Sequence, residues 1–122
     1  MSTLSKYKIQ FGIKKIFNTD YKFMSSTNTF LDNFITDFYD VSGSTQLLDG
    51  INEVINKPLD GDMFFPSQGL QLAIIAPQIT KIYNEQDKFY KNENSSPDFQ
   101  LPTPDFKVIV EAWRDYLASR GK

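Results

Sequence analysis

LPTPDFKVIVEAWRDYL, residues 101–117, is the most clearly written helix in the chain. Thr103 stands as a candidate N-cap, Pro104 at the first helical position and Asp105 in the first turn. There a missing N–H is harmless, and a negative charge meets the positive end of the helix dipole. Phe106, Ile109, Val110, Trp113, Tyr116 and Leu117 recur three or four residues apart and form one apolar face. Lys107–Glu111 and Glu111–Arg114 are spaced to form weak surface pairs, each worth roughly 0.2–0.5 kcal/mol. Gly121 reads as the stop. A helix with one broad apolar face must be packed on another layer, so the remaining sequence has to supply that surface. Trp113, the only tryptophan, should lie in the middle of the packed face.

Upstream, LQLAIIAPQITKIYN (70–84) is rich in strand formers and is broken by Pro77. It reads as two adjacent antiparallel strands joined around Ala76-Pro77-Gln78. The stretch 84–100 is polar and turn-rich, a loop or hairpin arm with Phe89, Tyr90 and Phe99 as apolar islands. At the other end, residues from Tyr7 to Ile13 alternate apolar and polar, the period of a half-buried strand. Asn18-Thr19-Asp20 is a turn cluster, and Tyr21–Met24 is the returning strand of a hairpin. Phe30, Phe34, Phe38 and Val41, joined by Leu31 and Ile35, make a helical stripe closing at Gly43. Ser44 is placed to cap a second helix carrying Leu47, Leu48, Ile51, Val54 and Ile55, which Pro58 stops. Asp60–Gly69 is a Gly/Pro-punctuated loop with a short strand at Met63–Phe65. The order β-β-α-α-(β)-β-β-α predicts an α+β fold, with an antiparallel sheet of about four to five strands and helices packed on one face.

A length of 122 residues fits one domain over 1–122, and a chain of this size buries enough surface to fold without disulfides or metals. It contains no cysteine, which removes thiolate chemistry and cysteine metal sites. Histidine is absent too, which removes Ser-His-Asp and Cys-His catalysis and most zinc chemistry. No cofactor is expected. The N-terminal stretch is interrupted by lysines throughout and lacks the apolar core of a signal peptide. The longest near-apolar run, LQLAIIAP, is too short to cross a bilayer. The expected protein is soluble, cytoplasmic and without a membrane partner. The sequence leaves the oligomeric state open, with a monomer favoured.

The net charge of −2 is unevenly spread. Residues 1–25 carry five lysines and one acid (net +4). Residues 26–62 carry Lys57 against Asp32, Asp37, Asp40, Asp49, Glu53, Asp60 and Asp62 (net −6). An acidic third repels phosphate backbones and suits a cationic partner. The competing reading is that acidic helix faces are simply solvated. Asp32 and Asp49, near predicted helix N-termini, have a local stabilising role as well.

Other constellations are weaker. Asp60-Gly61-Asp62 lacks the further oxygen ligands of a calcium loop, with Phe64 at the fifth position, and reads as a turn. The pairs Asp37/Asp40 and Asp105/Glu111 could be cast as glycosidase carboxylates, but nothing in the sequence forces a raised pKa on either. No glycine-rich phosphate loop exists. Lys6, Lys8, Lys14 and Lys15 among aromatics superficially resemble a nucleic-acid face, but they read as the wet side of a strand, and no nucleic-acid partner is expected.

The lysine-rich opening KYKIQFGI, the acidic aromatic helix FLDNFITDFYD and the closing LPTPDFKVIVEAWRDYL together resemble the small cytoplasmic immunity proteins of bacterial polymorphic and contact-dependent toxin systems. The resemblance implies a non-enzymatic protein that binds and neutralises a cognate toxin, in many cases a cationic nuclease met by an acidic surface. It carries across no functional residue. The acidic segment of this chain then becomes the expected partner-binding site, with Asp32, Asp37, Asp40, Asp60 and Asp62 as charge contacts and Tyr39 as anchor. The alternative is a structural or assembly subunit that self-associates through exposed aromatics such as Phe64, Phe65, Phe89 and Tyr90.

Overall fold

The computed structural model describes residues 2–119. In chain order the elements are α1 (Thr3–Lys6), β1 (Gln10–Ile16), β2 (Thr19–Ser25), α2 (Thr29–Thr36), α3 (Val41–Asn56), a 3₁₀ turn (Pro58–Asp60), β3 (Met63–Pro66), β4 (Leu72–Ile75), β5 (Ile79–Tyr83), α4 (Gln86–Lys91), β6 (Phe99–Pro102) and α5 (Thr103–Ala118). This is an α+β fold, as the sequence predicts. The sheet is antiparallel, in the order β3-β4-β5-β6, and the hairpin β1-β2 forms a separate two-stranded ribbon.

The long helices α2, α3 and α5 pack on one face of that sheet. Phe34, Leu47, Ile51, Phe106, Ile109 and Trp113 are fully buried there, against inward-facing Ala73, Ile75, Ile82 and Leu101. Burying each large side chain of this kind stabilises the fold by about 1.5–3 kcal/mol before entropy is subtracted. Gly50 of α3 is required for this packing, because a Cβ there would collide with the ring of Phe65. Trp113 lies where its spacing puts it, and its indole N–H also donates to the Phe38 carbonyl at 2.8 Å.

Several local expectations change. Thr103 begins α5 but does not cap it; its side chain is fully buried and turned toward the β4–β5 turn. There its hydroxyl donates to the Ala76 carbonyl at 2.6 Å and meets the Thr80 hydroxyl at 2.9 Å, while its N–H donates to Gln78. The hydroxyl is spent on the carbonyl of half-buried Ala76, a group that the fold partly removes from water. Arg114 pairs with its neighbour Asp115 at 3.3 Å, and neither predicted Glu111 pair is among the ion pairs of the described residues. The predicted stop at Gly121 lies outside the described residues.

The first long helix ends at Thr36 rather than continuing to Gly43. Asp40, not Ser44, caps the second, accepting from the Gly43 N–H at 2.7 Å. Ser44 is buried in its first turn and bonds back to the Asp40 carbonyl. The periodicity ran on through Phe38 and Val41 because both sides of the break contribute apolar residues, a continuity that pattern alone cannot split. Asp49 consequently falls in mid-helix and is exposed, whereas Asp32 does lie in a first turn.

The opening strand begins at Gln10 and not at Tyr7, after the single helical turn α1. Lys8 has φ +55 and turns the chain between them. The hairpin closes through two residues, Phe17 and Asn18, with φ +51 and +66, and pairs Ile16 with Thr19. Positive φ at both central positions is the primed turn whose twist matches the strands. The ribbon leans on the helices, with Phe11 stacked on Tyr116 at 5.0 Å and 5.9 Å from Trp113. Lys22 reaches from β2 to the end of α5, donating to the carbonyls of Tyr116, Leu117 and Ser119 at 3.0–3.3 Å. A cation on the last carbonyls satisfies acceptors that the helix itself leaves open.

The stretch 84–100, expected as a polar loop or hairpin arm, contains α4 and the first residues of β6. It folds over the outer face of the sheet because Phe89 packs on Leu72, Ile74 and Tyr83. Asp98 fastens it by accepting from the Asn84 N–H at 2.8 Å, and the Tyr83 hydroxyl donates to Ser95 at 3.0 Å.

Candidate partner-binding surface

The six residues predicted as contacts do not form one patch. Asp37, Tyr39 and Asp40 occupy the connection between α2 and α3. Asp60 and Asp62 follow the other end of α3, whose sixteen residues separate the two groups by roughly 24 Å at helical rise. Asp32 lies near the start of α2 and accepts from the Ser26 hydroxyl at 2.6 Å. A segment that is compact in sequence is therefore split into poles by the rigid helix it contains.

The α2–α3 connection is held on all sides. The Phe38 carbonyl takes the Trp113 N–H, and the Phe38 ring packs on Phe34 at 5.0 Å and Phe65 at 6.2 Å. Asp37 accepts from the Gly69 N–H at 2.9 Å and so anchors the loop before β4. Asp40 caps α3. Between these fixed neighbours the Tyr39 side chain remains 61% exposed, so the backbone beneath it is rigid while the ring is offered to solvent.

Tyr39 and Asp40 form the ridge between two clefts. One, about 310 Å³, is bounded by Asp37, Phe38, Gln46 and Ser67. The other, about 420 Å³, is bounded by Asp20, Tyr21 and Lys22 of the hairpin together with Val41 and Leu117. Tyr21 and Val41 are both exposed. The single cation of that second cleft, Lys22, is occupied with the α5 carbonyls. The surface thus combines exposed Tyr21, Tyr39 and Val41 with the carboxylates of Asp37 and Asp40 and with the Asp20–Lys15 ion pair at 3.4 Å. Aromatic groups ringed by acids are the chemistry that meets a cationic protein surface.

Sequence reading missed Asp20 and Tyr21. They sit in the lysine-rich opening segment, residues 1–25, and only the fold of the ribbon carries them to Tyr39; no local signal could have found them. Asp60 and Asp62 flank Gly61, whose φ of +101 marks the turn that this tripeptide makes. Asp62 also borders a depression of about 700 Å³, an open trough on the outer sheet face whose walls include Ile74, Pro77, Ile79 and Lys81. No cluster of three metal-ligating side chains occurs among the described residues. No helix among them is long and apolar enough to cross a membrane.

The carboxylate pairs are already engaged locally. Asp37 and Asp40 each hold a backbone N–H. Asp105 accepts from the Tyr7 hydroxyl at 2.8 Å and pairs with Lys6 at 3.5 Å. Six residues apart on α5, Asp105 and Glu111 point about 120° apart around the axis. Burial, reinforced by the hydrogen bond and charge of Asp105, pushes the Tyr7 phenol up to about 12. Burial, with the Asp98 charge, also raises Tyr83.

No protein-family model, curated protein or solved structure matches this chain.

Proposed function

We propose that this chain is a non-catalytic binding protein that neutralises a cognate bacterial toxin by docking a cationic toxin domain on the face around Tyr39. The observation that carries the proposal is Tyr39 itself, a 61% exposed aromatic on a backbone pinned through Asp37, Phe38 and Asp40. A preorganised aromatic anchor loses little freedom on binding, and nearby carboxylates speed encounter with a positive partner. A nuclease is the toxin class that best fits an acidic inhibitor, because its own active site must attract phosphates. The resemblance of the sequence to immunity proteins points the same way, and the protein is accordingly read as cytoplasmic.

Co-expression with the product of the adjacent reading frame tests the proposal; a non-toxic product, or one that forms no complex, overturns it. Within a complex, the double substitution Asp37→Asn, Asp40→Asn keeps both amide acceptors and removes both charges. Association should slow by about tenfold and lose most of its salt dependence. Unchanged kinetics move the interface off this face.

A second reading, self-association through the outer sheet face, is favoured by exposed Phe64 and Tyr90 there. Phe65 is committed to the core and Phe89 to the sheet, which leaves less for a partner copy than the sequence alone implied. Light scattering over a concentration series separates this from a monomeric inhibitor.

A further inference from the structure

The outer face of the sheet is covered over only part of its extent. Phe89 of α4 packs on Leu72, Ile74 and Tyr83. Beyond it lies the open trough that Asp62 borders, floored by Ile74, Ala76 and Ile79. The strand register sets one row across this face: Phe64, Ile74, Lys81 and Gln100 stand side by side on β3, β4, β5 and β6. Phe64 is 47% exposed, and Tyr90 of α4 is 56% exposed. Opposite charges flank the floor. Asp62 immediately precedes β3 and Lys81 is on β5, two strand spacings or roughly 10 Å away across the sheet. Both are exposed, and neither belongs to an ion pair among the described residues. A cation and an anion held apart on either side of an apolar floor make a surface that is complementary to itself under a two-fold rotation.

We propose that this trough is the contact between two copies of the chain, packed outer face to outer face about a dyad that brings Asp62 of each copy to Lys81 of the other. This rests on the self-association reading above and gives it a geometry. The dyad passes over the floor between the two charges, so the apolar floors close on each other. The lining selects this occupant. Its charged residues, Asp62 and Lys81, cancel, so the trough draws neither a phosphate backbone nor a strongly cationic protein. The contact is small. Four strands side by side are only about 19 Å wide, and the area covered falls short of the about 800 Å² per partner of a standard interface. The pair is therefore weak and dissociates on dilution. It leaves the Tyr39 face free, because Tyr39 precedes α3 and Asp62 follows it, and the two depressions share no lining residue. A dimer of this kind presents two Tyr39 faces.

The test is sedimentation velocity of the full chain over a concentration series, as wild type, with Asp62→Lys, with Lys81→Asp, and with these two variants mixed. The wild type should pass from monomer to dimer as concentration rises. Each single variant opposes like charges at both symmetry-related contacts and should weaken pairing by at least about tenfold. Mixed in equal amounts, the two variants should pair again, because their heterodimer contains one native contact and one with its signs reversed. Recovery on mixing also shows that both variants are folded. A wild type that stays monomeric, single variants that pair as well as the wild type, or a mixture that does not pair overturns the proposal. Asp37→Asn, Asp40→Asn should dimerise as the wild type does; a dimer lost in that variant places the self-contact on the Tyr39 face and overturns the proposal too. A chain that dimerises as described but does not bind the product of the adjacent reading frame refutes the Tyr39 reading alone.

Discussion

Phe106 and Phe17 are the same side chain put to opposite uses. Phe106 is fully buried 6.2 Å from Phe34, in a region where each unusual group has an answering partner. Thr103 beside it satisfies a turn carbonyl, the Trp113 N–H finds Phe38, and no buried side-chain polar atom among the described residues lacks a hydrogen bond. At the hairpin tip the accounts stay open: an aromatic in a strained backbone region touches water on nearly all sides. The contrast separates residues that folding explains from residues that it does not. The second kind is where the proposed binding function would carry its specificity.

The contrast can be broken from either side. Trp113→Ala should be the most damaging change, destabilising by about 3–5 kcal/mol through the cavity it leaves and the Phe38 carbonyl it abandons; urea denaturation measures it. A loss below 1 kcal/mol would mean that the core is not centred on this ring. Thr103→Val keeps shape but orphans the Ala76 carbonyl, and should cost about 1–3 kcal/mol by the same assay. Phe17→Asn acts in the other direction, stabilising the free protein by about 0.5–1 kcal/mol because asparagine tolerates the left-handed region. If it destabilises instead, the phenylalanine has a folding role and the contrast dissolves.

The smallest effect is in pH. The phenol of Tyr7 holds its proton up to about 12, against an ordinary value of 10.0. The folded state binds that proton more tightly than the unfolded chain does. Its stabilising share is therefore whole below pH 10 and fades as the pH climbs from there through about 12. Tyr7→Phe should show a shallower decline in denaturation midpoint across that window than the wild type, and equal slopes would rule out Tyr7 as the source.

The α5 face was legible because period, proline and tryptophan all agree over one long segment. The two middle helices were legible as helices but not at their junction, since Phe38 and Val41 continue a stripe across a real break at Asp37–Asp40. Strand β6 was hidden because only Phe99 and Leu101 of its four residues face inward, and such an alternation is too short to register. Half of the candidate surface was readable as acid and tyrosine in one segment. Asp20 and Tyr21 were not, because proximity created by a ribbon folding back is a tertiary fact with no local spacing. The placement of Asp60 and Asp62 at the far pole follows from the rigidity of α3, which a charge count over 26–62 treats as if it had no length.

The Lys22 clasp on the end of α5 has a kinetic consequence. Its three acceptors lie 94 to 97 residues away along the chain, and the Tyr7–Asp105 bond spans 98. Contacts that enclose nearly the whole polypeptide incur their loop-closure entropy late, once the sheet and helices have shortened the effective loop. The ribbon should therefore lock on after the rate-limiting step. Lys22→Met would then quicken unfolding and leave the refolding limb of a chevron almost unmoved. Before that latch engages, the hairpin is a lever on a finished body, free to sample orientations with its aromatic tip foremost.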